Sequence, residues 1–215
     1  MRRMVLAALT LVLAAAPLAA QDPHFGLGLV LGFPTGALNS TTYADGRTEG
    51  YNTGVGVQFT ASWPVSRSLA LRVNVGGITF NGTGSTPSNP NWNLEEDLVS
   101  FAGEAEYFLP GSSVSRHLGT YLIGGLGLDV EHFSAGSAYS YAYGYDYVYG
   151  PTVTADRTRL AATAGIGHTF RSYGRYRWSL EAVYHKTLTD TGDTSATGVG
   201  YPSADFLKCS VGFGF

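Results

Sequence analysis

The sequence predicts an all-β fold, an eight-stranded antiparallel up-and-down transmembrane β-barrel. Three observations carry the prediction: only 13% of the 215 residues are charged, apolar and polar residues alternate in eight segments, and the connectors between those segments alternate between long and short. A soluble globular domain carries roughly 25% charged residues. Here small and aromatic residues take their place, with 29 Gly, 14 Tyr and 11 Phe. The glycines follow no three-residue period, which excludes collagen, and the apolar content of 44% argues against disorder. A single cysteine, Cys209, excludes an intramolecular disulfide and any multi-cysteine metal site.

Residues 1–20 read as a Sec-type signal peptide and residues 21–215 as one barrel domain. Arg2 and Arg3 supply the positive n-region, Met4 to Ala16 the apolar run, and Pro17-Leu18-Ala19-Ala20 a small-residue exit with cleavage after Ala20. The alternative, an N-terminal anchor, has an apolar run short of the roughly 20 residues that a spanning helix needs. No cysteine follows the cleavage site, so a lipoprotein anchor is not expected. Without Arg2 and Arg3 the count is 11 basic against 16 acidic residues, a formal charge of −5, which argues against nucleic acid as a partner.

The predicted strands run from Phe25 to Phe33, Tyr51 to Trp63, Leu69 to Asn81, Leu98 to Phe108, Leu118 to Phe133, Arg157 to Phe170, Tyr176 to Leu188 and Ala204 to Phe215. Each comes close to or exceeds the 9 to 11 residues, roughly, of a tilted membrane strand. No helix is expected. Long connectors (Pro34 to Gly50, Gly82 to Asp97, Ser134 to Asp156, Thr189 to Ser203) alternate with short ones (Pro64 to Ser68, Leu109 to His117, Arg171 to Arg175), as in a membrane barrel.

Side chains of a strand alternate between its faces. Leu69, Leu71, Val73, Val99, Phe101, Leu122, Leu126, Leu160, Ile166, Trp178 and Leu180 share one face, and no charge falls among them. Arg72, Asn74, Glu104, Glu106, Asp129, Glu131, Arg157, Arg159, Arg177, Glu181 and Lys208 share the other. In lipid a closed barrel turns the first face outward and the second inward. A soluble calyx of the lipocalin type is the structural alternative, and it would have to enclose nearly all the apolar side chains. Phe25, Phe33, Tyr51, Trp63, Tyr107, Tyr176, Tyr184 and Phe215 sit near strand ends, where interfacial girdles are expected.

The signal peptide, the alternating strands, the connector pattern and the terminal run Leu207, Cys209, Val211, Phe213, Phe215 together resemble the small bacterial outer-membrane barrels of the OmpA and OmpX type. The resemblance covers the chain after residue 20. It implies the bacterial outer membrane as location, outer-membrane lipid and lipopolysaccharide as surroundings, and Phe213 and Phe215 as the signal read by the barrel-assembly machinery. It does not imply the wall-tethering role of two-domain relatives, since no peptidoglycan-binding domain follows Phe215. It leaves activity open, because the fold hosts unrelated functions.

Eight strands close around an interior that side chains fill. Five inward acids (Glu104, Glu106, Asp129, Glu131, Glu181) face five inward bases (Arg72, Arg157, Arg159, Arg177, Lys208), a balance that predicts a paired plug. The expected arrangement sets Glu104 and Glu106 against Asp129 and Glu131, bridged by arginines. An ion pathway or narrow pore through the same groups is the alternative. Gly124, Gly125, Gly127, Gly165, Gly167, Gly212 and Gly214 are expected where the wall curves tightly or backbones approach.

Of the loops, the third carries Tyr139, Tyr141, Tyr143, Tyr145, Tyr147 and Tyr149 at period two, one side of any extended ribbon. That row is a candidate surface for sugars or a protein partner, with Trp92 a further contact residue, or else a structural extension of the wall. His185 and Thr187 are similar to the His-x-Ser core of outer-membrane lipid A deacylases. Thr187 replaces the serine and Leu188 the Asn expected next, and Glu181 is a possible orienting group. His24, His117, His132 and His168 show no metal-ligand spacing, and Cys209 reads as a small lipid-facing residue. The reading is therefore a monomeric barrel with no catalytic residue, cofactor or metal, acting through an envelope-structural or surface-interaction role. A narrow pore and a lipid A hydrolase using His185 are the alternatives.

Overall fold

The computed structural model describes residues 23–42, 48–85, 92–137, 140–141, 147–148, 153–172, 176–189 and 204–215, so the signal-peptide segment lies outside the described residues. Eight long strands form the wall: β1 His24–Pro34, β2 Gly54–Pro64, β3 Leu69–Ser85, β4 Trp92–Phe108, β5 Gly119–Ser137, β6 Val153–Arg171, β7 Arg177–Thr187 and β8 Phe206–Gly214. Each pairs antiparallel with its neighbour in sequence, and β8 closes on β1 with Gly26 opposite Gly214 and Pro34 opposite Phe206. Phe25 and Phe215 exchange backbone hydrogen bonds at the end of this seam. The all-β, closed, eight-stranded antiparallel barrel of the sequence reading is the fold. No described helix is long and apolar enough to cross a membrane.

Alternation explains the wall. Outward positions hold Leu27, Leu29, Leu31, Val55, Val57, Phe101, Leu126, Leu160, Ile166, Leu180 and Val211, with Leu29 exposed to 71% and Leu126 to 65%. A continuous apolar band of this kind is incompatible with water and suited to lipid. The band ends toward the long loops at an outward polar row on three adjacent strands, where Asp97 lies opposite His132 and His132 opposite Asp156. Toward the short turns it ends in an aromatic ring of Tyr107, Phe170, Tyr176, Trp178 and Phe215, with Phe213 packed against Tyr176 and Trp178 at 5.1 and 5.2 Å.

Three expectations need correction. β3 to β6 outrun their predicted loop-side ends, at Ser85, Trp92, Ser137 and Val153, because beyond the lipid band the outer face turns polar while pairing continues, with Leu94 and Glu96 still buried on the inner face of β4. The first long connector is structured: a four-residue helix Gly36–Asn39 is followed by the paired segments Thr41–Thr42 and Thr48–Tyr51, the latter adding to β3. One turn is too short to show a 3.6-residue period. Tyr51 is no girdle residue, since this connector folds its ring inward to 4% exposure.

Glycines act as close-approach sites as expected, except Gly124, whose side toward lipid is open. At Gly167 a Cβ would stand 2.5 Å from the Tyr121 ring, so glycine is what lets that phenol cross the lumen. Gly119, at φ +101, ends the second short turn in the left-handed region and leaves room for Ser112, whose hydroxyl binds the backbone of Thr120.

Leu126→Arg places a charge in the middle of the lipid band and is expected to destabilise the barrel in vesicles by about 2–4 kcal/mol, read by urea titration of the folded, heat-modifiable form. Beyond the band, His132 donates from Nδ1 to Asp156 at 2.6 Å, and this hydrogen bond, with the Asp156 charge, holds the imidazole pKa above 6.5. Its support is complete below the ordinary imidazole range and is lost as pH rises through the raised value. Asp156→Asn should bring the His132 NMR titration back to the ordinary range.

Candidate functional site

The lumen is filled in layers, and the central one is built on a single guanidinium. Arg72, from β3, donates through Nε to Glu104 of β4 at 2.6 Å and through Nη1 to Glu106 of β4 at 3.1 Å and Glu181 of β7. Inward alternation buries all four residues, Glu106 completely. Hydroxyls and an amide complete the carboxylates. Ser62 donates to Glu106 at 2.6 Å, Thr163 to Glu104 at 3.1 Å, Tyr121 to Glu181 at 2.8 Å, and the Gln58 amide to Glu181 at 3.4 Å and to Ser210 at 2.9 Å. Lys208 adds its charge beside Glu104, Glu181 and Asp129. Buried charges are tolerable only when paired and hydrogen-bonded in this way.

Toward the loops a second set of pairs follows. His185 donates from Nε2 to Asp129 at 2.7 Å, and Arg159 pairs with Glu131 at 3.0 Å. Beside and beyond them lies an apolar cluster formed by Val30, Ile78, Phe80, Leu94, Leu98, Phe133 and Phe206 from the wall and Leu38, Tyr51 and Ala204 from the connectors. Phe80 and Phe206 meet edge to face at 5.2 Å. At the opposite end Ala70, Phe108, Val114, Tyr121, Ile123 and Val183 make a second apolar layer. The turn between β4 and β5 folds into this mouth. It buries Val114 and sets His117 Nε2 at 2.9 Å from Glu106.

The expected set of lumen charges thus divides. Arg72, Glu104, Glu106, Glu181 and Lys208 come together; Asp129, Glu131 and Arg159 form the loop-side group; Arg157 lies half-buried opposite Glu131. Glu104 and Glu106 do not face Asp129 and Glu131 as expected. Their partners across the strand pair are Gly125 and Ile123, because the stagger of β4 on β5 displaces the acidic pairs along the barrel. Arg177 lines the short-turn mouth of the lumen, in the cavity that Arg72, Glu106 and Glu181 also border, but does not pair with the central carboxylates. It sits at the short-turn rim, where Nη1 donates to His24 Nδ1 at 2.9 Å while His24 Nε2 donates to the Ser115 carbonyl at 3.2 Å, the pattern of a neutral imidazole.

Sequence reasoning missed Gln58, Ser62, Tyr121, Thr163 and Ser210. All five stand at inward positions by parity, so the period-two signal was present and only their uncharged character hid them. His117 had no such signal, because its place depends on how a turn folds. Of the tyrosine row, Tyr141 and Tyr147 pair across a two-residue ribbon, while Tyr139, Tyr143, Tyr145 and Tyr149 lie outside the described residues. The Trp92 backbone lies between Gly84 and Ser137. His168 faces outward at the aromatic ring, bound to Thr120 at 2.7 Å, and Cys209 faces outward on β8. Among the described residues no group of three His, Cys, Asp or Glu is placed to hold a metal.

No family model matches the sequence, and no curated protein matches it. Solved structures do resemble the fold. The outer membrane protein OprG from Pseudomonas aeruginosa aligns over 90% of this chain and 95% of its own at 10% identity and a TM-score of 0.50. Ail, the attachment invasion locus protein of Yersinia pestis, aligns over 90% and 97% at 10% identity and a TM-score of 0.51. In fold, then, the chain is a small eight-stranded β-barrel of the outer-membrane kind.

Proposed function

We propose that the protein sits in the bacterial outer membrane, is exported there by the signal peptide at residues 1–20, and works as a closed monomeric barrel. It holds long extracellular loops in an envelope-structural or surface-interaction role. The observation that carries this reading is the filled lumen. One cavity of ≈ 30 Å³ lies among His24, Ser62, Glu106 and Tyr121, and another of ≈ 20 Å³ among Gln58, Asn74, His185 and Lys208, with no lining residue in common. Each has room for about one or two waters. The Arg72 layer stands between them, and the Phe80 and Phe206 layer closes the loop end.

A rigid interior leaves the surface to do the work. The tyrosine row at positions 139–149 is the proposed contact surface, with Trp92 beside the loop bases. Lipopolysaccharide and outer-membrane lipid are its surroundings, and Phe213 and Phe215, outward at the β8–β1 seam, are proposed as the assembly signal. A lipid A hydrolase is disfavoured by position: His185 is buried inside the barrel, bonded to Asp129 and stacked at 4.6 Å on Phe206, away from the lipid-facing wall.

In planar bilayers the protein should give no single-channel steps, and reproducible conductance would sink the closed-barrel reading. Lipid A masses should be the same with and without the protein, and with His185→Ala. Arg72→Met strands three carboxylates inside the wall and should cost about 3–5 kcal/mol of stability, measured by urea unfolding in detergent. A change below about 1 kcal/mol would show that Arg72 is not the hub.

A further inference from the structure

Among the described residues the two rims of the barrel differ in charge. At the short-turn rim Arg67, Arg116 and Arg171 are exposed and Arg177 is half-buried, while the acids nearest this end, Glu106 and Glu181, are buried and already bonded. No described carboxylate reaches Arg67, Arg116 or Arg171. Arg171 and Arg177 are direct partners across the β6–β7 pair, an opposition of like charges that destabilises a sheet unless an anion lies against it. The next pair toward the lipid band is Phe170 and Trp178, both outward and exposed. The loop-side rim is the reverse, with Glu95, Asp97 and Asp156 on its outer surface.

We infer that this arginine collar binds the phosphodiester headgroups of anionic phospholipid in the leaflet facing the short turns. The inference rests on the membrane reading above. Its occupant follows from position and charge. The cations border an interfacial aromatic ring, where headgroup phosphate stands at the same depth, and guanidinium pairs with phosphate through its fixed fork of donors. Bulk electrostatics would act in the opposite direction, since the chain carries a formal net charge of −3. A preference for anionic lipid is therefore a local property of the collar.

The test uses the refolded full chain in nanodiscs of equimolar phosphatidylglycerol and phosphatidylcholine, with co-retained lipids counted by native mass spectrometry. Wild type should retain phosphatidylglycerol over phosphatidylcholine by about threefold or more, as expected for basic groups at an anionic surface. The variant R67Q/R116Q/R171Q should fall to near parity while keeping heat-modifiable mobility; Arg177 stays because it holds His24. If the triple variant does not fold, a salt series on wild type decides, because a phosphate contact at an exposed rim should weaken between about 50 mM and about 500 mM. A wild type without preference, a folded variant that keeps it, or a preference untouched by salt overturns the collar alone. A chain that stays soluble without detergent and never enters bilayers overturns the membrane reading beneath it.

Discussion

Closure of the sheet is the constraint on which the rest depends. In hydrocarbon an unpaired backbone N–H or C=O costs several kcal/mol, about as much as a spanning strand can gain from a side chain or two, so no edge can be left open. The seam between β1 and β8 removes both edges at once, from Gly26 against Gly214 to Pro34 against Phe206. Once the wall is closed, each strand has one face to lipid and one to the lumen. Outward leucines and inward arginines are then two consequences of one geometry.

The closed wall makes the lumen the harder problem. Its radius leaves no bulk water to solvate the charges that alternation sends inward. Arg72 answers this by sharing one planar cation among Glu104, Glu106 and Glu181, with Ser62, Thr163 and Tyr121 supplying the hydrogen bonds that the guanidinium cannot. Lysine would be a poor substitute, since its compact ammonium lacks the fork that reaches several carboxylates in one plane. Apolar clusters pack around these charges toward either end of the lumen.

The rims are where the wall meets different media. On the loop side β3 to β6 continue past Asp97, His132 and Asp156 with a polar outer face, so the lipid limit is drawn by outward polarity and the strands do not stop there. On the turn side the connections are tight and arginine-bearing, and one of them tucks Val114 and His117 into the mouth. A turn that enters the lumen resembles a solvent loop in sequence, because its burial is set by the diameter it closes.

Much of this was legible in the residues. Parity separated Leu71 from Arg72 and Leu180 from Glu181, since a period of two needs nothing beyond the backbone pleat. Connector lengths assigned the two ends. The pairing of charges was not legible: Glu104 and Glu106 were expected against Asp129 and Glu131, because a partner across a barrel depends on stagger and tilt, which no single strand encodes. Tyr51 and Leu38 were hidden for the same reason, as loop residues whose burial comes from the connector folding over the mouth. By itself the sequence determined the medium, the strand count and which face of each strand meets lipid, all properties of local alternation and length. The tertiary structure alone decided that Arg72 is the hub, that two apolar clusters pack within the lumen, and that four arginines share one rim, because each depends on bringing distant segments to one level of a closed wall.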